Sequence, residues 1–166
     1  MDHLSLTALK CLHDNDLPGA KRAIVSCIGL LERPSQVMMI FACTQLSLAI
    51  LEVKRREPNQ DVRTWWRKAN GFLKTYSVIF PMGEPVLHYQ RGLYAEMEGK
   101  TNKAIELWKK ALQTSIDIDM PYVLANSVNK LKSYEPTILE RYQEDYSKAL
   151  SAMGVTSVTD DINVMV

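Results

Sequence analysis

Long apolar runs are scarce in this chain, and the scarcity excludes a first class of protein. The most apolar stretch, Val37 to Val53, is broken by Thr44, Gln45, Ser47 and Glu52 and closes on Lys54-Arg55-Arg56. A membrane-spanning helix wants about 20 mostly apolar residues. The stretch therefore reads as a buried central helix, not a span. At Met1-Asp2-His3 no basic segment precedes an apolar one, which argues against a secretory leader. Cysteine is sparse too: Cys11, Cys27 and Cys43 are an odd set with no CxxC pair. They read as buried free thiols in a reducing compartment, and the expected location is cytoplasmic. Net charge is only +1, so the field of the whole protein steers little nucleic acid or acidic lipid toward it.

Signatures of chemistry are also missing. There is no GxxxxGK[ST], GxGxxG, HExxH or GxSxG. His3, His13 and His88 stand apart in sequence. Asp117 and Asp119 precede Met120-Pro121 and read as turn residues. Asp14-Asn15-Asp16 lacks the glycine and glutamate of a calcium loop. The expectation is a protein that is not an enzyme, with no catalytic residue, no cofactor and no metal. A rival class, a helical bundle with a hidden small-ligand site, would draw on His88, Tyr89, Arg91 and Tyr94. Sustained period-two alternation is absent as well, which excludes a sheet.

What the chain does have is a repeat of helix pairs. Ala104 to Ser115 echoes Val62 to Leu73: Trp66 falls on Trp108, Ala69 on Ala111, Lys68 on Lys110 and Arg67 on Lys109. The offset is 42 residues, within the range of stacked helical repeats. Pro and Gly punctuation predicts eight helices, at 3–14, 17–32, 35–56, 61–79, 85–98, 102–117, 121–133 and 136–153. Asp16 and Pro18 suit a helix start, Thr101 or Asn102 a helix cap, and Pro81, Gly83 and Pro85 a loop. One helical stripe carries Val62, Trp65, Trp66, Ala69, Phe72, Leu73 and Tyr76. A second carries Ala104, Leu107, Trp108, Ala111, Leu112 and Ser115. Alanines beside tryptophans are what close helix packing needs.

These residues resemble tetratricopeptide-like repeats. In the third pair the small residue is Gly92, the turn glycine is Gly99, and the second-helix series is Ala104, Trp108 and Ala111. In the second pair the series is Val62, Trp66 and Ala69, with Ile50 as a misfit at the small position. In the first pair the positions are Ala8, Ala20, Ile24 and Cys27. The resemblance implies an all-α, right-handed solenoid of about four antiparallel helix pairs, forming a single domain over 1–153 with a flexible tail over 154–166. It implies packing roles for Trp66, Ala69, Gly92, Ala104, Trp108 and Ala111.

It also implies a concave face built from first helices, including Ser5, Leu9, Leu12, His13 and Ser47, with Leu51, Lys54, Arg55, Tyr89, Leu93 and Met97 as its partner-binding groove. Ser5, Leu9, Ser47, Leu51, Tyr89 and Leu93 occupy positions where a chaperone carboxylate clamp needs polar cations and amides, so no clamp is expected. The implied partner is a protein: an apolar helix or peptide, or neighbouring domains of a larger chain. No nucleic acid and no membrane span are expected. Gly92-Leu93-Tyr94, Gly99-Lys100, Trp108 to Ala111 and Met120-Pro121-Tyr122 are also similar to the C-terminal helical-repeat region of soluble adenylyl cyclases and STAND-type regulators. That similarity implies a regulatory piece or short isoform of a cAMP-signalling protein. The ending Asn163-Val164-Met165-Val166 would suit PDZ capture through its carboxylate.

Overall fold

Asp16 and Asn59 show how local chemistry sets the helix starts in the computed structural model, which describes residues 1–31 and 36–157. Asp16 Oδ1 accepts the Gly19 N–H at 2.8 Å and Pro18 fills the first turn, opening one helix. Asn59 Oδ1 accepts the Val62 N–H at 3.0 Å and opens another. Such caps satisfy amide groups that have no intrahelical partner. Among the described residues 79% are helical and none is in a strand. The expected PDZ-type ending and most of the 154–166 tail lie outside the described residues, as does Pro34.

Two units divide at Gly83 and Glu84. The first contains α1 (Asp2–His13), α2 (Leu17–Gly29), α3 (Met39–Arg56) and α4 (Gln60–Ile79). Here α1 packs on α2 and α3, α3 on α4, and α2 on both α3 and α4. Val62, Trp66, Ala69, Phe72, Leu73 and Tyr76 are all buried on one stripe of α4. Burying each large apolar side chain contributes about 1.5–3 kcal/mol. The most apolar stretch became α3, buried at eleven positions, and no helix among the described residues is long and apolar enough to cross a membrane. Cys27 and Cys43 are buried, Cys11 is half-buried, and all three are free thiols.

The second unit begins within α5 (Gly83–Met97), followed by α6 (Thr101–Asp117), α7 (Pro121–Leu131), α8 (Ile138–Arg141) and α9 (Gln143–Met153). α7 packs against α6, α8 and α9. Three expectations need correction. Gly83 and Pro85 belong to the first turn of α5 rather than to a loop; proline is tolerated there because its missing N–H would have no partner. No side chain caps α6, whose N-cap is Lys100. The helix expected over 136–153 is two helices, because Tyr142 leaves helical geometry at φ −113° and ψ 22°.

The turns carry the repeat. Asn15 and Gly99 lie two repeat lengths apart, and both have left-handed backbones, at φ 59° and 71°. Behind each, an N–H reaches back five residues: Asp16 to the Cys11 carbonyl at 2.7 Å and Lys100 to the Ala95 carbonyl at 2.9 Å. This is the Schellman closure, which satisfies the last helical carbonyls. The equivalent residue of the second pair, Glu57, stands at φ −147° and ψ 81°, outside the left-handed region. Pro58 follows it, and proline pushes the preceding residue out of helical space.

Candidate interaction surface

Gly92 and Trp108 form a close joint in the second unit. Trp108 is 0% exposed. A Cβ added at Gly92 would lie 2.3 Å from Trp108 Nε1 and 2.5 Å from its Cδ1. The indole therefore rests directly on the α5 backbone. Tyr134 lies beside it, with ring centroids 5.9 Å apart. The Tyr134 hydroxyl donates to Glu96 Oε1 at 2.8 Å, and Lys130 Nζ lies 3.7 Å from Glu96 Oε2. Lys109 pairs with Glu135.

The repeat-packing residues all lie inside. Trp66, Ala69, Gly92, Ala104, Trp108 and Ala111 are buried. The pattern extends across three second helices. Ala20, Ile24 and Cys27 are buried in α2, as are Val62, Trp66 and Ala69 in α4 and Ala104, Trp108 and Ala111 in α6. Ile50, the misfit at the small position, is fully buried in α3.

The six groove residues are less uniform. Leu51, Lys54 and Arg55 lie in the first unit, and Tyr89, Leu93 and Met97 in the second. Leu51, Lys54 and Tyr89 are buried and offer a partner little surface. Leu93 and Met97, one turn apart on α5, are half-buried, and Arg55 is exposed. Ser5, Leu9, Leu12 and Ser47 are buried, whereas His13 is exposed. Ser5 donates to Gln45 Oε1 at 2.8 Å, which turns this α1 position inward against α3. Burial at these positions follows from the packing of α1 on α3.

Sequence reasoning missed the role of Glu52. Its side chain is only 6% exposed, yet it is the acceptor for both neighbouring arginines. Arg55 donates through Nε at 2.8 Å and Nη2 at 2.6 Å, and Arg56 through Nε at 2.6 Å. Arg56 Nη1 also reaches Asn15 Oδ1 at 3.2 Å, tying α3 to the α1–α2 turn. Burial opposes the Glu52 charge, but the two guanidinium groups outweigh it and hold the carboxyl below its ordinary range. The basic run is thus partly an internal clamp. An acidic residue three or four positions before two arginines was the available signal.

Around His88 the polarity is mixed. Its Nε2 lies 3.5 Å from Glu84 Oε1, and its buried Nδ1 has no hydrogen-bond partner. Burial lowers the imidazole pKa; Glu84 partly opposes this, while Lys110 and Arg91 reinforce it. Burial also pushes the Tyr122 phenol up to about 12. Tyr89 is buried, while Arg91 and Tyr94 are half-buried. Among the described residues no group of three His, Cys, Asp or Glu could hold a metal ion.

No family model, no curated protein and no solved structure matches this chain.

Proposed function

We propose that this chain is a non-catalytic, cytoplasmic protein–protein interaction or regulatory module built on tetratricopeptide-like helix pairs. The observation that carries the reading is the common burial register of α2, α4 and α6, with Gly92 fitted beneath Trp108. Repeats packed in this way commonly present surfaces for other proteins. The working surface is the accessible part of α5, at Leu93 and Met97, and the partner is an apolar helix or a neighbouring domain. Flexible methionine suits such contacts. An alternative within this proposal is that the chain is a C-terminal regulatory region or short isoform of a soluble adenylyl cyclase-like protein.

The test is affinity capture from cytosolic lysate, comparing the wild-type chain with Leu93→Asp/Met97→Asp after circular dichroism shows equal folding. The reading predicts a protein partner captured by the wild type and lost from the variant. A partner set unchanged by the double substitution would refute the assignment to α5. A small molecule retained in native mass spectrometry would favour the ligand-binding class instead.

A further inference from the structure

α2 and α4 pack against each other in the first unit and leave an open groove of about 450 Å³ between them. Its apolar lining is Val25 on α2, 51% exposed, and Trp65 on α4, half-buried. Cations flank these two side chains. Lys21 lines the groove but is already engaged with Glu57 at 2.6 Å. Arg22 lines it too, and Lys68 lies one turn beyond Trp65 on the same stripe of α4. Both are exposed and make no ion pair among the described residues. Among the described lining residues the one carboxylate, Asp61, sits in the first turn of α4, where the helix N-terminus favours it. The outer face of α4 adds Arg63, Arg67 and Lys74, all exposed. Residues 1–83 carry 11 Lys and Arg against 7 Asp and Glu, so the near-neutral chain has a distinctly basic first unit.

We infer that the α2–α4 groove docks an acidic amphipathic helix of a partner protein. An apolar side chain of that helix seats between Val25 and Trp65, and Asp or Glu residues on its flanks meet Arg22 and Lys68. Helix-in-groove recognition takes this form, with anchors at i and i+3 or i+4. The unpaired cations supply charge complementarity, which governs encounter rate and partner choice. An anionic membrane fits less well, because Val25 and Trp65 lie along a groove between two helices and not on one projecting face. Only α2 and α4 take part in this docking, which is independent of α5.

The test is selection from a phage-displayed library of surface-randomised helical peptides on the full-length chain. Enriched peptides are then measured against Arg22→Glu/Lys68→Glu, Val25→Glu, and Leu93→Asp/Met97→Asp. All variants are first compared with wild type by circular dichroism. Enrichment of peptides pairing Asp or Glu with an apolar i,i+4 pair is expected. Binding should weaken at least about tenfold in the first two variants, fall with added salt, and persist in the α5 variant. The proposal is overturned if no peptide is enriched, if enriched peptides lack acidic residues, or if charge reversal leaves binding intact. It is also overturned if the chain instead floats with phosphatidylcholine–phosphatidylserine vesicles through Arg22 and Lys68.

Discussion

Adding a single methyl group at Gly92 should disrupt the second unit. The new Cβ would lie 2.3, 2.5 and 2.9 Å from three atoms of the Trp108 indole, whereas ordinary contact begins near 3.4 Å. Relief needs a displacement of about 1 Å, and the indole is fully buried. Overpacking of this kind costs about 1–3 kcal/mol. Alanine recovers up to about 1 kcal/mol through helix propensity, so Gly92→Ala should lose about 0–2 kcal/mol net. Gly71 is the control: it is exposed on α4 and an added Cβ meets nothing within 4 Å. Gly71→Ala should therefore gain about 0.5–1 kcal/mol from propensity alone. Urea denaturation followed by circular dichroism measures both. Trp108→Leu, destabilising by itself, should make Gly92→Ala nearly harmless, giving a coupling energy of about 1 kcal/mol or more between the sites. If Gly92→Ala matched Gly71→Ala, or if its cost were unchanged in the Trp108→Leu background, the close fit of indole on backbone would be refuted.

Glu52→Gln should destabilise the first unit by about 1–2 kcal/mol at neutral pH, the low end for charge-assisted bonds because Arg55 is largely exposed. The native Glu52 pKa lies below its ordinary 4.5, so its contribution is present above about 4.5 and fades as pH falls through the native value; acid titrations of wild type and variant should converge there. His88 behaves as the buried-neutral case: its native pKa is below the ordinary 6.5, and stability should decline as pH drops below 6.5. His88→Gln should flatten that part of the profile in thermal melts. Asp119 holds a left-handed backbone at φ 54°, so Asp119→Gly should gain up to about 1 kcal/mol, measured by urea midpoint.

The second helices were legible because burial there repeats with the sequence. Val62, Trp66 and Ala69 recur as Ala104, Trp108 and Ala111 at a spacing that helical geometry turns to one side. The turn at Gly99 was legible for the same reason, since glycine marks a left-handed position. The equivalent turn at Asn15 was less so, because asparagine is tolerated there without being required. The break at Tyr142 had no glycine or proline beside it, and only the backbone reveals it. The groove positions of α1 and α3 were hardest to read. A helix stripe tells which residues share a face, but not whether that face meets solvent or a neighbouring helix. Ser5 and Ser47 look like surface residues in the sequence and are buried in the packed unit. The α2–α4 groove escaped because its walls come from segments separated by the whole of α3.

If the chain works by presenting the accessible face of α5 to another protein, binding must slow amide exchange in that helix. Hydrogen exchange, mapped along the whole chain alone and with its captured partner, reads this out segment by segment. New protection is expected, centred on the α5 segment that carries Leu93 and Met97 and absent in the Leu93→Asp/Met97→Asp variant. Bound partner with exchange in α5 unchanged would contradict the proposed role of that face.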